Sequence, residues 1–177
     1  MNHKMRKYFL RTLLLSALIM LVFGSTSVSA AKKTGFVTEN GKSYYIKKDG
    51  TKQKGWLKLN GKKYYFDKKT GVQLKGWAKN SQGQVIRYFS KGGGAMAEGF
   101  LKDSKGITRY FEPGTGLLTR GFKEIKGSTY YFTSGVGAMM TGWVKDSKDQ
   151  KRYFSKNGRM ATGWLKNSKG QYRYFNT

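Results

Sequence analysis

Nucleophilic and acid–base catalysis draw on cysteine, histidine and paired carboxylates. This chain of 177 residues has no Cys, a single His and only nine acids. His3 lies in an N-terminal segment that reads as removable, and without it Ser-His and Cys-His triads, histidine bases and His-ligated zinc are excluded. Two carboxylates could still run glycoside hydrolysis. However, Asp103 and Asp146 stand where sister segments carry Asn80 and Asn167. Exchange of Asp with Asn marks a turn-forming side chain rather than a catalytic one. Glu98, Glu112 and Glu124 occupy unrelated positions. The chain is therefore read as non-enzymatic, with no catalytic residue, cofactor or metal site. Its chemical resources are 12 Tyr, 11 Phe, 4 Trp and 35 Lys+Arg, for a net charge of +26. Aromatic rings beside cations make binding chemistry: rings stack on apolar faces, while Lys and Arg donate to hydroxyls or pair with anionic groups.

The elements that must position these residues are repeats. Gly followed by an aromatic recurs at Gly35-Phe36, Gly55-Trp56, Gly76-Trp77, Gly99-Phe100, Gly121-Phe122, Gly142-Trp143 and Gly163-Trp164. Ten to twelve residues after each Gly comes a Tyr followed by a bulky apolar residue: Tyr45, Tyr65, Tyr88, Tyr110, Tyr131, Tyr153 and Tyr174. Each unit reads as a β-hairpin. In the second, Gly55 to Leu59 alternates, Asn60-Gly61 is a type I′ turn signal, and Lys63 to Phe66 returns. A lone hairpin is marginal in water, so the units must stack. The expected fold is all-β: an elongated β-solenoid of stacked hairpins, with repeats starting near 35, 55, 76, 99, 121, 142 and 163. Two subtypes occur along it. Three units have short turns and a Tyr-Tyr pair, at Tyr44, Tyr64 and Tyr130. Four have longer turns and an arginine in place of the first tyrosine: Arg87, Arg109, Arg152 and Arg173.

Ahead of the repeats, Lys4, Arg6, Lys7 and Arg11 precede an uncharged run from Thr12 to Phe23, and Val28-Ser29-Ala30 supplies small residues. A basic start, a short apolar stretch and an A-x-A-like end describe a secretory signal peptide over residues 1–30. The apolar run falls short of the roughly twenty residues that span a bilayer, so no membrane span is expected after cleavage. Residues 31–177 would be the mature repeat domain, with a charge of +22, since the segment removes four of the basic residues and no acid. Such a charge attracts polyanions. Basic grooves with aromatics also bind single-stranded nucleic acid, but export argues for wall polymers instead.

Period-2 alternation assigns the faces of each strand. The row after the Gly-aromatic pair (Val37, Leu57, Ala78, Leu101, Val144, Leu165, with Lys123 the exception) is expected in the core. The aromatic then shares the opposite face with a lysine row: Lys58, Lys79, Lys102, Lys145 and Lys166. The ligand-binding candidates are Trp56, Tyr65, Trp77, Tyr88, Trp143, Tyr153, Trp164 and Tyr174, with Arg87 and Arg152 (and their counterparts Arg109 and Arg173) for hydroxyls or anionic groups. Either packing between hairpins or ligand contact could employ these rings. Met96, Met139 and Met160, just before the next Gly-aromatic pair, read as gap-filling.

Segments such as Gly55 to Phe66 and Gly137 to Trp143 resemble the cell-wall-binding repeats of Gram-positive surface proteins. That superfamily includes choline-binding modules, the glucan-binding repeats of glucosyltransferases and the repeats of clostridial toxins. The resemblance covers roughly residues 34–177. In its choline-binding branch it implies a cage between consecutive hairpins, built from the Gly-Trp tryptophan, a Trp before Tyr-Tyr and a tyrosine, which holds quaternary ammonium by cation–π attraction. Here the Trp before Tyr-Tyr is replaced by Ser43, Lys63, Ile86, Thr108, Thr129, Lys151 and Tyr172. The Tyr-Tyr-Phe form is more similar to glucan-binding repeats, which implies carbohydrate in the grooves. The resemblance thus implies a secreted, cell-wall-associated protein binding wall polysaccharide, teichoic acid or glucan, with choline on wall polymers as the alternative. A chain this short is expected to be a free-standing module, or a remnant of a longer hydrolase, transferase or toxin.

Overall fold

The computed structural model describes residues 33–145 and 149–175. The expected signal segment and Asp146 lie outside the described residues. Every described strand belongs to a two-stranded antiparallel hairpin. In order these are β1 (Gly35–Glu39) with β2 (Lys42–Ile46), β3 (Gly55–Leu59) with β4 (Lys62–Phe66), β5 (Gly76–Lys79) with β6 (Val85–Phe89), and β7 (Gly99–Lys102) with β8 (Thr108–Phe111). Then come β9 (Gly121–Ile125) with β10 (Ser128–Phe132), β11 (Gly142–Lys145) with β12 (Lys151–Phe154), and β13 (Gly163–Lys166) with β14 (Tyr172–Phe175). No helix occurs among the described residues.

Turn chemistry separates the two subtypes. In the short-turn hairpins both central residues take positive φ, at Asn40-Gly41, Asn60-Gly61 and Lys126-Gly127. That is the I′ geometry, whose twist matches the flanking strands. In the three long-turn hairpins whose loops are described in full, an Asx side chain organises the loop. Asn80 Oδ1 accepts from the amides of Gln82 and Gln84. Asp103 Oδ1 does the same for Lys105 and Ile107, and Asn167 Oδ1 for Lys169 and Gln171. The interchange of Asp and Asn therefore has a structural reason at the described positions, since both offer the same acceptor.

The hairpins are tied together by their connections. The Gln73 amide donates to the Ser43 carbonyl at 2.7 Å, Met96 to Lys63 at 2.8 Å and Leu118 to Ile86 at 2.9 Å. Met139 donates to Thr108 at 2.8 Å and Met160 to Thr129 at 2.7 Å. Each connection thus bonds back to the second strand of the hairpin before the one it has just left. Lys52, Gln73, Met96, Leu118 and Met139 form a column, each lying under a glycine of the next connection. A Cβ added at Gly116 would stand 2.5 Å from Met96 Sδ, and one at Gly137 would stand 2.9 Å from Leu118 and 3.0 Å from the Thr119 carbonyl. Met96 and Met139 therefore pack as the sequence suggested.

The core corrects the alternation argument. Phe66, Phe89, Phe111, Phe132 and Phe154, the residues after the recurring Tyr, are each at most 1% exposed. The row expected in the core is mostly half-buried: Val144 is buried, but Leu165 is 41% exposed. Alternation within one hairpin cannot say which face the next hairpin will cover. The covering is done by the phenylalanines, each bridged to its own connection at Gln73, Met96, Leu118, Met139 or Met160.

Candidate functional site

Each Gly-aromatic ring up to Trp143 sits where two described hairpins meet, and Trp164 lies on the last described one. Across its own hairpin each ring faces the recurring Tyr: Trp56 with Tyr65, Trp77 with Tyr88, Trp143 with Tyr153 and Trp164 with Tyr174. The ring centroids are 5.1, 4.7, 5.3 and 5.2 Å apart. Towards the following hairpin it meets the Phe after the recurring Tyr: Trp56 to buried Phe89 at 6.0 Å, Trp77 to buried Phe111 at 6.1 Å and Trp143 to half-buried Phe175 at 5.6 Å. The four tryptophans remain 48%, 39%, 50% and 69% exposed in chain order, so each packs on one side and presents the other to solvent. The three phenylalanines of the same row are as exposed as Trp56 and Trp77. On the next hairpin the neighbours of Trp56 are Phe89 and Arg87.

The residue before the recurring Tyr fills the rest of each junction, and here the two subtypes diverge. Where that residue is Tyr it packs, tilted by about 60°, against the preceding aromatic: Tyr64 against Phe36 at 5.0 Å and Tyr130 against Phe100 at 5.2 Å. Where it is Arg, its guanidinium lies over that ring. Arg87 is 5.7 Å from the Trp56 ring, Arg109 5.0 Å from Trp77, Arg152 5.0 Å from Phe122 and Arg173 5.3 Å from Trp143. A cation within about 6 Å of a ring centroid is attracted by its quadrupole. These arginines therefore supply from within the chain the kind of contact that a bound cation would make. The sequence displayed the Tyr-to-Arg exchange, but its partner lies in the neighbouring repeat. Reading each aromatic against the following unit, rather than its own, would have shown it.

The arginines are held differently. Arg109 is buried; its Nε donates to the Val136 carbonyl and Nη1 pairs with Asp103 Oδ2 at 2.7 Å. The Arg109 hydrogen bond holds the Asp103 carboxyl below the usual aspartate range, helped by the Ile107 and Lys105 amides against a desolvation effect. Arg87 Nε donates to the Thr115 carbonyl at 2.8 Å. Arg152 donates to Gln150. Two further polar residues were not among the binding candidates: Lys63, which donates to the Gly114 carbonyl, and Arg120, which donates to the Val85 carbonyl.

Grooves among the described residues follow from this arrangement, one of them of 470 Å³ with Trp77 and Tyr88 on its walls. One of 410 Å³ is lined by Trp56, Lys58, Lys63 and Arg87. One of 510 Å³ runs from Trp77 past Asp103, Arg109 and Arg120. One of 930 Å³ is lined by Trp143, Arg173, Tyr153, Lys156 and Lys166. The structure thus brings Trp56 together with Arg87, and Trp143 with Tyr153 on one groove wall. Trp164 and Tyr174 face solvent on the last described hairpin, and Arg152 lies over Phe122 rather than a tryptophan. Among the described residues no group of three or more His, Asp or Glu could hold a metal ion.

A repeat that sets an exposed aromatic against the next hairpin is matched by a family model. The model for the choline-binding repeat fits residues 33–72, 58–100, 119–156 and 145–177, more than half of the chain. The chain belongs to the choline-binding repeat family. Its fold is similar to that of choline binding protein F from Streptococcus pneumoniae, solved in the presence of a peptidoglycan analogue (31% identity, TM-score 0.70, covering 82% of this chain and 50% of that one). It is similar too to CbpJ from Streptococcus pneumoniae (28% identity, TM-score 0.70, covering 82% and 51%). This choline-binding repeat chain therefore spans about half the length of these solved relatives. No curated protein sequence matches it.

Proposed function

We propose that the chain is a secreted, non-catalytic surface protein whose repeat domain, residues 31–177 after a signal peptide over 1–30, attaches to the Gram-positive cell wall. Its hairpins stack as a β-solenoid, and its six junctions form weak sites for a repeating wall polymer, polysaccharide or teichoic acid. The observation that carries this reading is the recurrence of one half-exposed aromatic at every junction, packed on one side and open on the other. Sugar rings and polyol chains bury apolar faces on such rings while nearby lysines and arginines donate to their oxygens. Sites repeated along one chain and ligands repeated along one polymer convert weak contacts into avidity.

A second reading, choline on the wall polymer, is supported by the family and by the arginine-free junction where Phe36, Tyr45 and Tyr64 converge within 5.0–5.2 Å. Free choline would then compete for retention, which distinguishes it from a glycan site.

Trp77→Ala and Trp164→Ala test the main reading. Both are expected to weaken retention on purified Gram-positive walls while far-UV circular dichroism and the melting transition stay close to those of the unsubstituted protein for Trp164, the more exposed ring. Retention unchanged by Trp77→Ala would sink the assignment of the aromatic junctions, and retention unchanged by Trp164→Ala would sink that of the exposed ring on the last described hairpin.

A further inference from the structure

Among the junctions, the one between the second and third hairpins has an unusual charge environment. Its groove is walled by Trp56, Lys58, Lys63 and Arg87, and no acid lines it. Two of the three cations are fixed in place by carbonyl oxygens rather than by carboxylates: Arg87 by Thr115 and Lys63 by Gly114. Carbonyls orient a cation without cancelling its charge. None of the ion pairs among the described residues includes Lys58, Lys63 or Arg87. The Nη atoms of Arg87 make no hydrogen bond among the described residues, so they are available to an acceptor. The next groove along offers the contrast, since Asp103 neutralises Arg109 there. Beside the cations, Trp56 stands 48% exposed, with Arg87 already over its ring.

We propose that this groove is a binding site for an anionic group, a phosphodiester or a carboxylate, carried on a sugar or polyol unit of a wall polymer. The guanidinium and the two ammonium groups take the anion by charge-assisted hydrogen bonds, and the open part of Trp56 takes the adjoining ring or chain. Arg87 has a second effect. It occupies the aromatic face as an internal cation, so a quaternary ammonium ligand meets both a filled surface and three like charges. The assignment rests on the wall-binding reading above and names the ligand chemistry of one of its sites.

The test follows the indole signal of Trp56 by NMR, assigned with Trp56→Phe, in titrations of the mature chain. The probes are unsubstituted poly(glycerol phosphate), polygalacturonate, neutral dextran and choline chloride. The first two arms distinguish phosphate from carboxylate as the anion; a response to either, with none to choline, is the expected result. The double variant Lys58→Gln with Arg87→Gln is expected to weaken that response about tenfold, as the loss of two charge-assisted contacts implies. Lys68→Gln with Lys69→Gln removes the same charge from an exposed connection and is expected to change it by less than about twofold, because neither lysine lines the groove and salt screens exposed charges. Should the Arg87 substitution disturb folding, Lys58→Gln alone and the charge-preserving Arg87→Lys separate charge from packing. Equal weakening by the two double variants would overturn the proposal, as would a Trp56 response to choline or dextran with none to either polyanion. Intact wall retention with such a silent Trp56 contradicts the groove alone, whereas a responsive Trp56 without wall retention contradicts the wall reading alone.

Discussion

The junction between hairpins three and four and the junction between hairpins four and five are built on one plan and end in opposite states. In both, an exposed aromatic leans on a fully buried Phe of the next hairpin: Trp77 on Phe111, and Phe100 on Phe132. In the second, Tyr130 closes the gap, and Tyr110, Tyr130 and Phe132 form a dry cluster with Ile125 and Met139. In the first, Arg109 takes the same position, brings Asp103 with it, and leaves a groove of 510 Å³. The lesson is that the hairpin scaffold is set by the Phe column and the turns, while one strand position decides whether a junction is packed or polar. Structure and binding chemistry are thereby written at different positions of the same repeat.

Several substitutions would break or sharpen this contrast. The largest effects belong to what the two junctions share. Phe111→Ala and Phe132→Ala are each expected to cost about 3–5 kcal/mol in urea denaturation, the range for deleting a buried aromatic. A cost at Phe111 far below that at Phe132 would mean that the polar junction does not rest on the same column. Next comes the connection column. Gly137 has φ +64° and its Cβ would press on Leu118 and the Thr119 carbonyl, so Gly137→Ala is expected to destabilise by about 1–3 kcal/mol, through backbone strain and overpacking together. A neutral result there would show that the connections are looser than their hydrogen bonds imply.

The smallest effect is confined to the polar junction and depends on pH. Asp103 has a folded pKa held below the aspartate value of 3.8, chiefly by the Arg109 hydrogen bond. Its contribution to stability is therefore complete above that value and is lost as pH falls through the lower, folded one. Asp103→Asn keeps the acceptor for the Lys105 and Ile107 amides but removes the charge on Arg109's partner. The variant is expected to be slightly less stable than the parent at neutral pH and to lose less stability on acidification, as read from melting temperatures between neutral pH and about pH 3. Parallel pH profiles for the two proteins would place the acid sensitivity elsewhere, for example at Glu112. Burial raises the pKa of Glu112, but hydrogen bonds from Thr119 and Lys123 outweigh it and hold the carboxyl below its usual range.

Most of the hairpin architecture was legible in the residues. Gly-aromatic pairs mark each first strand because the Gly takes positive φ there, as at Gly55 (φ +68°) and Gly76 (φ +82°), which a residue with Cβ adopts with strain. Asn60-Gly61 and Asn80 announced their turn types for equally local reasons. Tertiary facts were less legible. The alternation that placed Leu57 and Leu165 in the core holds within a hairpin, but burial is decided by the neighbouring hairpin, which covers Phe66 and leaves Leu165 41% exposed. For the same reason the switch from Tyr to Arg was visible while its partner was not: Arg87 acts on Trp56, which lies in the previous repeat. Lys63 carried no signal beyond its occupancy of a position that resembles the family's cage Trp. Its role depends on a connection two hairpins along, at Gly114.

The central claim is that exposed aromatics at the junctions, and not the net charge alone, hold the protein to its polymer. The most direct measurement is retention of the mature chain on purified Gram-positive walls as salt is raised to about 1 M, where the Debye length falls to about 3 Å, with parallel elution by choline and by soluble glucan or teichoic acid fragments. The account predicts retention that persists in salt and is released by a competitor. Loss of all retention in high salt, with no competitor effect at low salt, would contradict it and leave a basic repeat surface that coats anionic polymer through charge.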